Sequence, residues 1–198
     1  MFTQFPGTLC ENTQGEKAKS EVSVSCAVGG FCEGVCLDTP VGRELTGNFL
    51  KALAKRYKGH PSLLGYDIWN ECNYSHDHCY CKDTRNKFRI WLQNKYKTLD
   101  ALKNAWHRYS LLSWNDVKPP PKLALYTECN DWLLFRKENA YDQMKWKVNI
   151  LRQVDSDCLI TAHGTAQSLE NLAMGGSDEW MAAANVEVYG LTFVQRRK

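Results

Sequence analysis

The sequence has no long hydrophobic run, no strong excess of one charge, and no internal repeat or low-complexity tract. No stretch approaches the roughly 18 consecutive apolar residues of a membrane-spanning helix, so we expect no membrane partner. The net charge is only +3, and the basic residues are scattered except at 195–198, which argues against nucleic acid as a partner. The first 20 residues lack the charged start and apolar run of a signal peptide. We therefore expect a cytoplasmic protein.

What the sequence does contain is typical of a globular protein. Its 198 residues are 43% hydrophobic and 24% charged, which is enough for a substantial core. The nine cysteines are a high and odd count in a chain too large to need disulfide bonds for stability. We expect reduced thiols, some of which could bind a metal.

The hydrophobic pattern predicts helices that alternate with short buried strands. Residues 1–38 show no helical period and are predicted to be irregular, whereas Thr39 and Pro40 are suited to cap and begin a helix. Beyond that point the pattern predicts helices over 40–58, 84–96, 98–106 and 131–154, strands over 63–71, 159–164 and 186–193, and a mixed segment over 168–183. Strands separated by helices indicate an α/β fold with a parallel sheet.

Three polar residues lie toward the carboxyl ends of these strands, where α/β proteins bind ligands: Glu71, His163 and Tyr189. Strand alternation predicts that Asp67, Trp69 and Glu71 share one face. A carboxyl group that is partly buried beside Trp69 would have a raised pKa, which suits a general acid. On spacing alone, Glu71 could equally be an ordinary strand-end carboxylate.

Residues 36–194 resemble the catalytic barrel of glycoside hydrolase family 42, the bacterial β-galactosidase family of the Asn-Glu glycosidase clan. The resemblance is carried by CLDTPVGRELTGNFLKALAKRYKGHPSLLGYDIWNE, CYC, KFRIWLQNKYKTLDALKNAWHRYS, SWNDVKPP and VEVYGLTFV. It implies that residues 39–198 form the central part of a (β/α)8 TIM barrel, roughly strands four to six, and that 1–38 is an irregular segment leading into it. A complete barrel takes about 250 residues, so we expect truncation at both ends.

The resemblance also implies a mechanism, the hydrolysis of terminal β-linked galactosides with retention of configuration and without a cofactor. It assigns Asn70 to sugar contact and Glu71 to acid/base catalysis. The nucleophile of this clan lies on the seventh strand, which we place outside the chain, so the isolated chain is expected to be inactive. We interpret Glu128 and Glu187 as structural.

Further sugar contacts are predicted at Trp69, His163 and Tyr189, although each could instead be part of the core. The basic residue that the family carries shortly before its upstream cysteine has no counterpart near Cys32, which leaves the identity of the sugar open. The full-length protein could form a homo-oligomer.

A structural zinc is the one metal that the resemblance implies. Cys36, Cys79 and Cys81 match three of the four family ligand positions, and the fourth is Thr84. The set could be completed by His76, His78, Cys72 or water. The alternative is free thiols in a polar loop, with Thr84 capping the next helix.

Two other classes of function remain open on the sequence. One is a non-catalytic sugar-binding or degenerate protein on the same scaffold. The other is a small zinc-binding module built on the loop rich in His and Cys after Glu71.

Overall fold

The computed structural model describes residues 2–3, 36–70, 81–120, 125–165 and 178–192. Within these ranges the strands are β1 (Phe2–Thr3), β2 (Gly65–Asn70), β3 (Leu159–Thr165) and β4 (Val188–Thr192). The α-helices are α1 (Pro40–Tyr57), α2 (Lys82–Tyr96), α3 (Leu99–Trp106), α4 (Tyr126–Val154) and α5 (Glu179–Ala183), with a 3-10 turn at Trp114–Asp116.

The strands form one parallel sheet in the order β1-β2-β3-β4. Helices connect β2 to β3 and β3 to β4, as parallel strands require a crossover connection. The predicted α/β fold with a small parallel sheet is therefore confirmed.

The register of β2 against β3 shifts near the carboxyl end. Asp67 is paired with Thr161, but Asn70 is paired with His163, so three steps along β2 match two steps along β3. This is a β-bulge, in which one extra residue turns the side chains that follow it. The bulge places Asn70 directly beside His163 in the ladder.

Two predicted helix caps are confirmed. The Thr39 side chain accepts a hydrogen bond from the Gly42 N–H (3.0 Å) at the start of α1, and Pro40 follows as the first helical residue. The Thr98 side chain accepts one from the Ala101 N–H (3.2 Å) at the start of α3. These two helix starts were therefore predictable from local side-chain chemistry.

Two element boundaries differ from the prediction. Residues 1–38 were predicted to be irregular, yet Phe2–Thr3 pairs with β2, a partner that a two-residue strand cannot reveal in sequence. Helix α4 begins at Tyr126, five residues before the predicted 131, without a side-chain cap. Glu128 in its first turn is buried against Arg108, and this tertiary contact extends the helix.

The main core lies between one face of the sheet and helices α1 and α4. Its sheet side is formed by residues that alternate along β2 and β3, and its helix side by small and aliphatic residues. Representative members are Tyr66, Ile68, Ile160 and Ala162 from the sheet and Leu50, Ala54, Met144 and Leu151 from the helices. The opposite face of the sheet carries Asp67 and His163.

A second, largely aromatic core joins α2, α3 and the first half of α4. Phe88 is completely buried and contacts Trp106, Trp132 and Phe135 at ring-centroid distances of 4.9 to 6.3 Å. These distances are within the favourable range for aromatic pairs. The cluster holds the two shorter helices against α4, beside the sheet.

None of the helices that the structure describes combines the length and the apolar character that crossing a bilayer requires.

Candidate active site

The candidate site lies at the carboxyl edge of the sheet. Asn70 is the last residue of β2 and is in register with His163 near the end of β3. Residues at this edge of parallel α/β sheets are positioned to bind ligands. The predicted acid Glu71 follows directly in the sequence, but it lies outside the described residues, as do Cys72, His76, His78 and Cys79.

His163 is held by an aspartate on the neighbouring strand. Its Nδ1 lies 3.1 Å from Asp67 Oδ2, and its side chain is 30% exposed. Burial raises the pKa of the Asp67 carboxyl above its usual value, although the contact with His163 acts in the opposite direction. The sequence had marked Asp67 only as an acidic residue on an unusual face, and the structure gives it a specific partner.

Trp69 lies on the other side of the sheet from Asp67. It is 4% exposed, belongs to the main core, and has Lys147 Nζ from α4 at 4.9 Å from its ring centroid. The prediction that Trp69 shares a face with Asp67 is wrong, because the bulge in β2 turns residue 69 toward the helices. Its role in sugar binding stays a prediction that this placement does not favour.

Tyr189 also packs on the helix side of the sheet. It is in register with the fully buried Ala162, whereas its neighbour Gly190 is in register with His163. A Cβ atom at Gly164 would lie 2.4 Å from Tyr189 Oη and 2.7 Å from a carboxylate oxygen of Glu179, so only glycine fits there. The predicted contact of Tyr189 with sugar is not favoured by this packing.

The two carboxylates interpreted as structural both have structural partners. Glu128 is 2% exposed and binds the guanidinium of Arg108 through both of its oxygens. Glu187 binds Arg152 and accepts a hydrogen bond from the Ile160 N–H (2.9 Å). Neither lies at the carboxyl edge with Asn70.

Two of the predicted zinc ligands come together. The sulfurs of Cys36 and Cys81 are 3.7 Å apart. Their contact lowers the pKa of Cys81 to about 6, and the same contact, together with burial, raises the pKa of Cys36. The Thr84 hydroxyl lies 3.3 Å from Cys81 and 3.8 Å from Cys36, at the place where the resemblance expects a fourth ligand.

This arrangement fits a tetrahedral zinc only in part. Two thiolates at about 2.3 Å from a tetrahedral zinc would be about 3.8 Å apart, close to the distance between Cys36 and Cys81. Among the residues that the structure describes, no group of three His, Cys, Asp or Glu side chains could hold a metal ion. Thr84 does not cap α2, since Cys81 is the capping residue and accepts the Thr84 N–H (3.4 Å).

A buried carboxyl group beside the thiols was not found from the sequence. Asp38 accepts hydrogen bonds from Thr84 (2.6 Å) and Lys87 (2.7 Å) on α2 and from Asn139 (3.0 Å) and Gln143 (2.9 Å) on α4. Burial opposes ionisation of Asp38, but Lys87 and these hydrogen bonds hold its pKa below the usual value. Because its partners are up to 105 residues away, no local pattern could reveal them.

The fold is an α/β fold whose small parallel sheet has helices on one face and polar residues on the other, which is consistent with a fragment of an α/β barrel. The model of glycoside hydrolase family 42, described as β-galactosidase, matches residues 3–192, so the chain belongs to this family.

Curated relatives agree with this assignment. The β-galactosidase BgaP of Planococcus sp. (strain L4) is 28% identical over 176 residues, which is 82% of this chain and 24% of that protein. The β-galactosidase BglY of Alicyclobacillus acidocaldarius is 30% identical over 137 residues, which is 65% of this chain and 19% of that protein. The chain thus spans about a quarter of the length of these relatives or less.

Solved structures show the same fold. The GH42 β-galactosidase Gan42B from G. stearothermophilus has a TM-score of 0.72 and 25% identity, covering 88% of this chain and 27% of that one. The β-galactosidase of the haloarchaeon Halorubrum lacusprofundi has a TM-score of 0.75 and 18% identity, covering 98% of this chain and 30% of that one.

Proposed function

We propose that the full-length protein is a retaining glycoside hydrolase that removes terminal β-linked galactose or a related sugar. Glu71 acts as the acid/base and Asn70 positions the sugar. The observation that carries this proposal is the position of Asn70, at the carboxyl end of β2 and in register with His163. The curated relatives BgaP and BglY are β-galactosidases, which supports this class of substrate.

The proposed chemistry needs two carboxyl groups about 5 Å apart. Glu71 protonates the departing glycosidic oxygen and later takes a proton from the incoming water, while a second carboxylate holds the sugar covalently between the two steps. Glu128 and Glu187 each bind an arginine side chain. The proposal therefore assigns the nucleophile to a residue outside this chain and expects residues 1–198 alone to be inactive.

Within the barrel, we assign β2, β3 and β4 to strands four, five and six. β1 pairs with the other edge of β2 and would then be strand three. We propose, as before, that residues 39–198 form the central part of the barrel. Residues 1–38 would contribute the short strand β1, followed by an irregular segment. The cytoplasmic location and the homo-oligomer stay predictions.

We also propose that Cys36, Cys79 and Cys81 hold a structural zinc. The support is the 3.7 Å separation of Cys36 and Cys81, which matches two thiolates on one tetrahedral ion. Such a zinc would tie the residues before α1 to the start of α2 and would take no part in bond cleavage.

Metal analysis of the full-length protein tests the zinc proposal. We expect one zinc per chain, lost in Cys36→Ser and in Cys81→Ser but kept in Cys129→Ser, a matched free cysteine on α4. Folded wild-type protein without zinc would exclude the metal and leave the free-thiol alternative.

Glu71→Gln in the full-length protein tests the catalytic proposal. Hydrolysis of lactose, which has a poor leaving group, should fall about 10³-fold or more, because general acid catalysis alone contributes factors of about 10² to 10⁴. With a nitrophenyl galactoside, the rate of the first step, in which the glycosidic bond is cleaved, should fall less than with lactose, since the nitrophenolate leaving group needs little protonation. Added azide should then restore turnover and give β-galactosyl azide, the product of a retaining enzyme without its acid/base.

Glu44→Gln is the matched control, because Glu44 is an exposed glutamate on α1. It should leave both rates unchanged. Wild-type rates in Glu71→Gln would remove Glu71 from its role. Galactose binding without turnover in the wild-type protein would instead favour the non-catalytic sugar-binding alternative.

A further inference from the structure

We propose that Asp67 is a positioning residue that fixes the bulge of β2 and the orientation of His163, so that His163 Nε2 meets a hydroxyl group of the sugar beside Glu71. This inference rests on the proposed function and extends it to a residue pair that sets specificity. The starting observation is that one carboxylate makes two contacts, to the backbone of its own strand and to the neighbouring strand.

The first contact stabilises the bulge. Asp67 Oδ1 accepts a hydrogen bond from the Trp69 N–H (3.3 Å), two residues further along the same strand. Since the extra residue of the bulge lies between Asp67 and Asn70, this bond holds the backbone where the register shifts. Asp67 therefore helps to place Asn70 opposite His163.

The second contact sets the tautomer of the neutral imidazole. An ionised carboxylate only accepts hydrogen bonds, so the His163 nitrogen that faces Asp67 Oδ2, Nδ1, must carry hydrogen. In the neutral ring Nε2 is then an acceptor, directed away from Asp67. Carboxylates orient metal-bound histidines in the same way, by accepting a hydrogen bond from the ring nitrogen that does not bind the metal.

The surroundings leave Nε2 a route to a ligand. Gly190 is the residue of β4 in register with His163, and a Cβ atom there would come within 3.2 Å of His163 Cβ. Residue 190 has no side chain that could cover the ring, and the His163 side chain is 30% exposed on the face that bears Asp67. We therefore expect Nε2 to accept a hydrogen bond from one sugar hydroxyl.

Asp67→Asn and His163→Gln in the full-length protein test this pair. In Asp67→Asn the Trp69 N–H still needs an acceptor, so the amide oxygen of the new side chain should face Trp69 and its NH2 group should face His163. Nδ1 must then accept, and hydrogen moves to Nε2. The substitution thus keeps the bulge bond but converts Nε2 from an acceptor to a donor.

The readout is discrimination between nitrophenyl β-galactoside and its monodeoxy analogues. In the wild-type protein, the ratio of kcat/KM for the parent substrate to kcat/KM for one analogue, the one that lacks the hydroxyl bound by Nε2, should be about ten or more. In His163→Gln and in Asp67→Asn that ratio should shrink toward one, mainly through a higher KM for the parent substrate. The double variant should show little further change in the ratio. Asp155→Asn, a buried aspartate bonded to Tyr66 of β2, is the control and should keep the wild-type ratio.

Each outcome is decisive. If both variants keep the wild-type ratio for every analogue while Glu71→Gln is inactive on lactose, the inference is wrong and the proposed function stands. If the wild-type protein hydrolyses no galactoside, the proposed function fails and this inference fails with it. If Asp67→Asn does not fold, His163→Gln at the partly exposed position still decides the result, because an unchanged ratio in that variant overturns the contact between Nε2 and a sugar hydroxyl.

Discussion

The carboxyl group of Asp38, at the junction of α1, α2 and α4, and that of Asp67, on the face of the sheet opposite α1 and α4, are both buried but have very different hydrogen-bond partners. Asp38 receives hydrogen bonds from four side chains on two helices. Asp67 receives one from a backbone N–H and one contact from a histidine whose side chain is 30% exposed. The first region holds elements together, whereas the second faces the candidate active site.

The comparison shows that burial alone does not decide how a carboxyl group titrates. Burial disfavours the charged form of both residues, yet the pKa of Asp38 lies below its usual value and the pKa of Asp67 lies above it. The difference is the ammonium of Lys87 together with the hydrogen bonds to Asp38. A carboxylate with many hydrogen-bond donors around it is suited to a fixed structural contact between helices. A carboxylate with few donors can change its contacts when a ligand binds.

The largest expected effect on stability comes from removing the carboxylate of Asp38, which connects α1, α2 and α4. In Asp38→Ala, Lys87, Asn139 and Gln143 each lose an acceptor, and within the described residues the Gln143 Oε1 already lacks a hydrogen-bond partner. We expect a loss of about 3 kcal/mol in local stability, at the low end for a broken buried ion pair because Lys87 is one-third exposed. Hydrogen exchange of the peptides covering α1 and α2 in the full-length protein measures this loss.

Asp100→Ala is the control for this measurement. The Asp100 side chain is 88% exposed, and among the described residues its ion pair is with Lys103 at 3.5 Å, so its loss should leave exchange unchanged. Asp67→Ala should be milder than Asp38→Ala, since it removes two contacts at a partly open site. Equal losses of local stability in Asp38→Ala and Asp67→Ala would contradict the proposed difference between a structural contact at Asp38 and a ligand site at Asp67.

Much of the fold followed from short-range patterns. The apolar period of α1, the caps at Thr39 and Thr98, and the apolar strands predicted the alternation of helices and parallel strands, which is confirmed. Two features could not be predicted in this way. β1 has only two residues and exists through its pairing with β2, and the early start of α4 depends on Glu128 and a distant arginine.

The site was predictable in position but not in detail. Asn70 and His163 were expected at the carboxyl edge, and the register brings them side by side. Trp69 was assigned to the wrong face because strict alternation fails at a bulge, and a bulge has no clear signal in a single sequence. Asp38 was missed because each of its side-chain partners lies at least 46 residues away.

The smallest expected effect is the pH dependence of the two aspartates, which should have opposite signs. Asp38 has a lowered pKa, so its stabilisation is present above its usual value of 3.8 and is lost as the pH falls through the folded-state pKa. Asp67 has a raised pKa, so the folded state binds its proton first, and stability increases as the pH falls from the folded-state pKa toward 3.8. Each unit of pKa shift changes stability by about 1.4 kcal/mol.

Thermal midpoints of the full-length protein from pH 7 to pH 3, compared with Asp38→Asn and Asp67→Asn, measure these two contributions because groups that do not contact the substituted carboxyl cancel in each difference. The advantage of wild type over Asp38→Asn should be flat down to about pH 4 and then shrink. The advantage over Asp67→Asn should grow as the pH falls toward 4. If the Asp67 difference had the same sign of slope as the Asp38 difference, the donors to Asp67 would outweigh its burial, and Asp67 would then be held as firmly as Asp38.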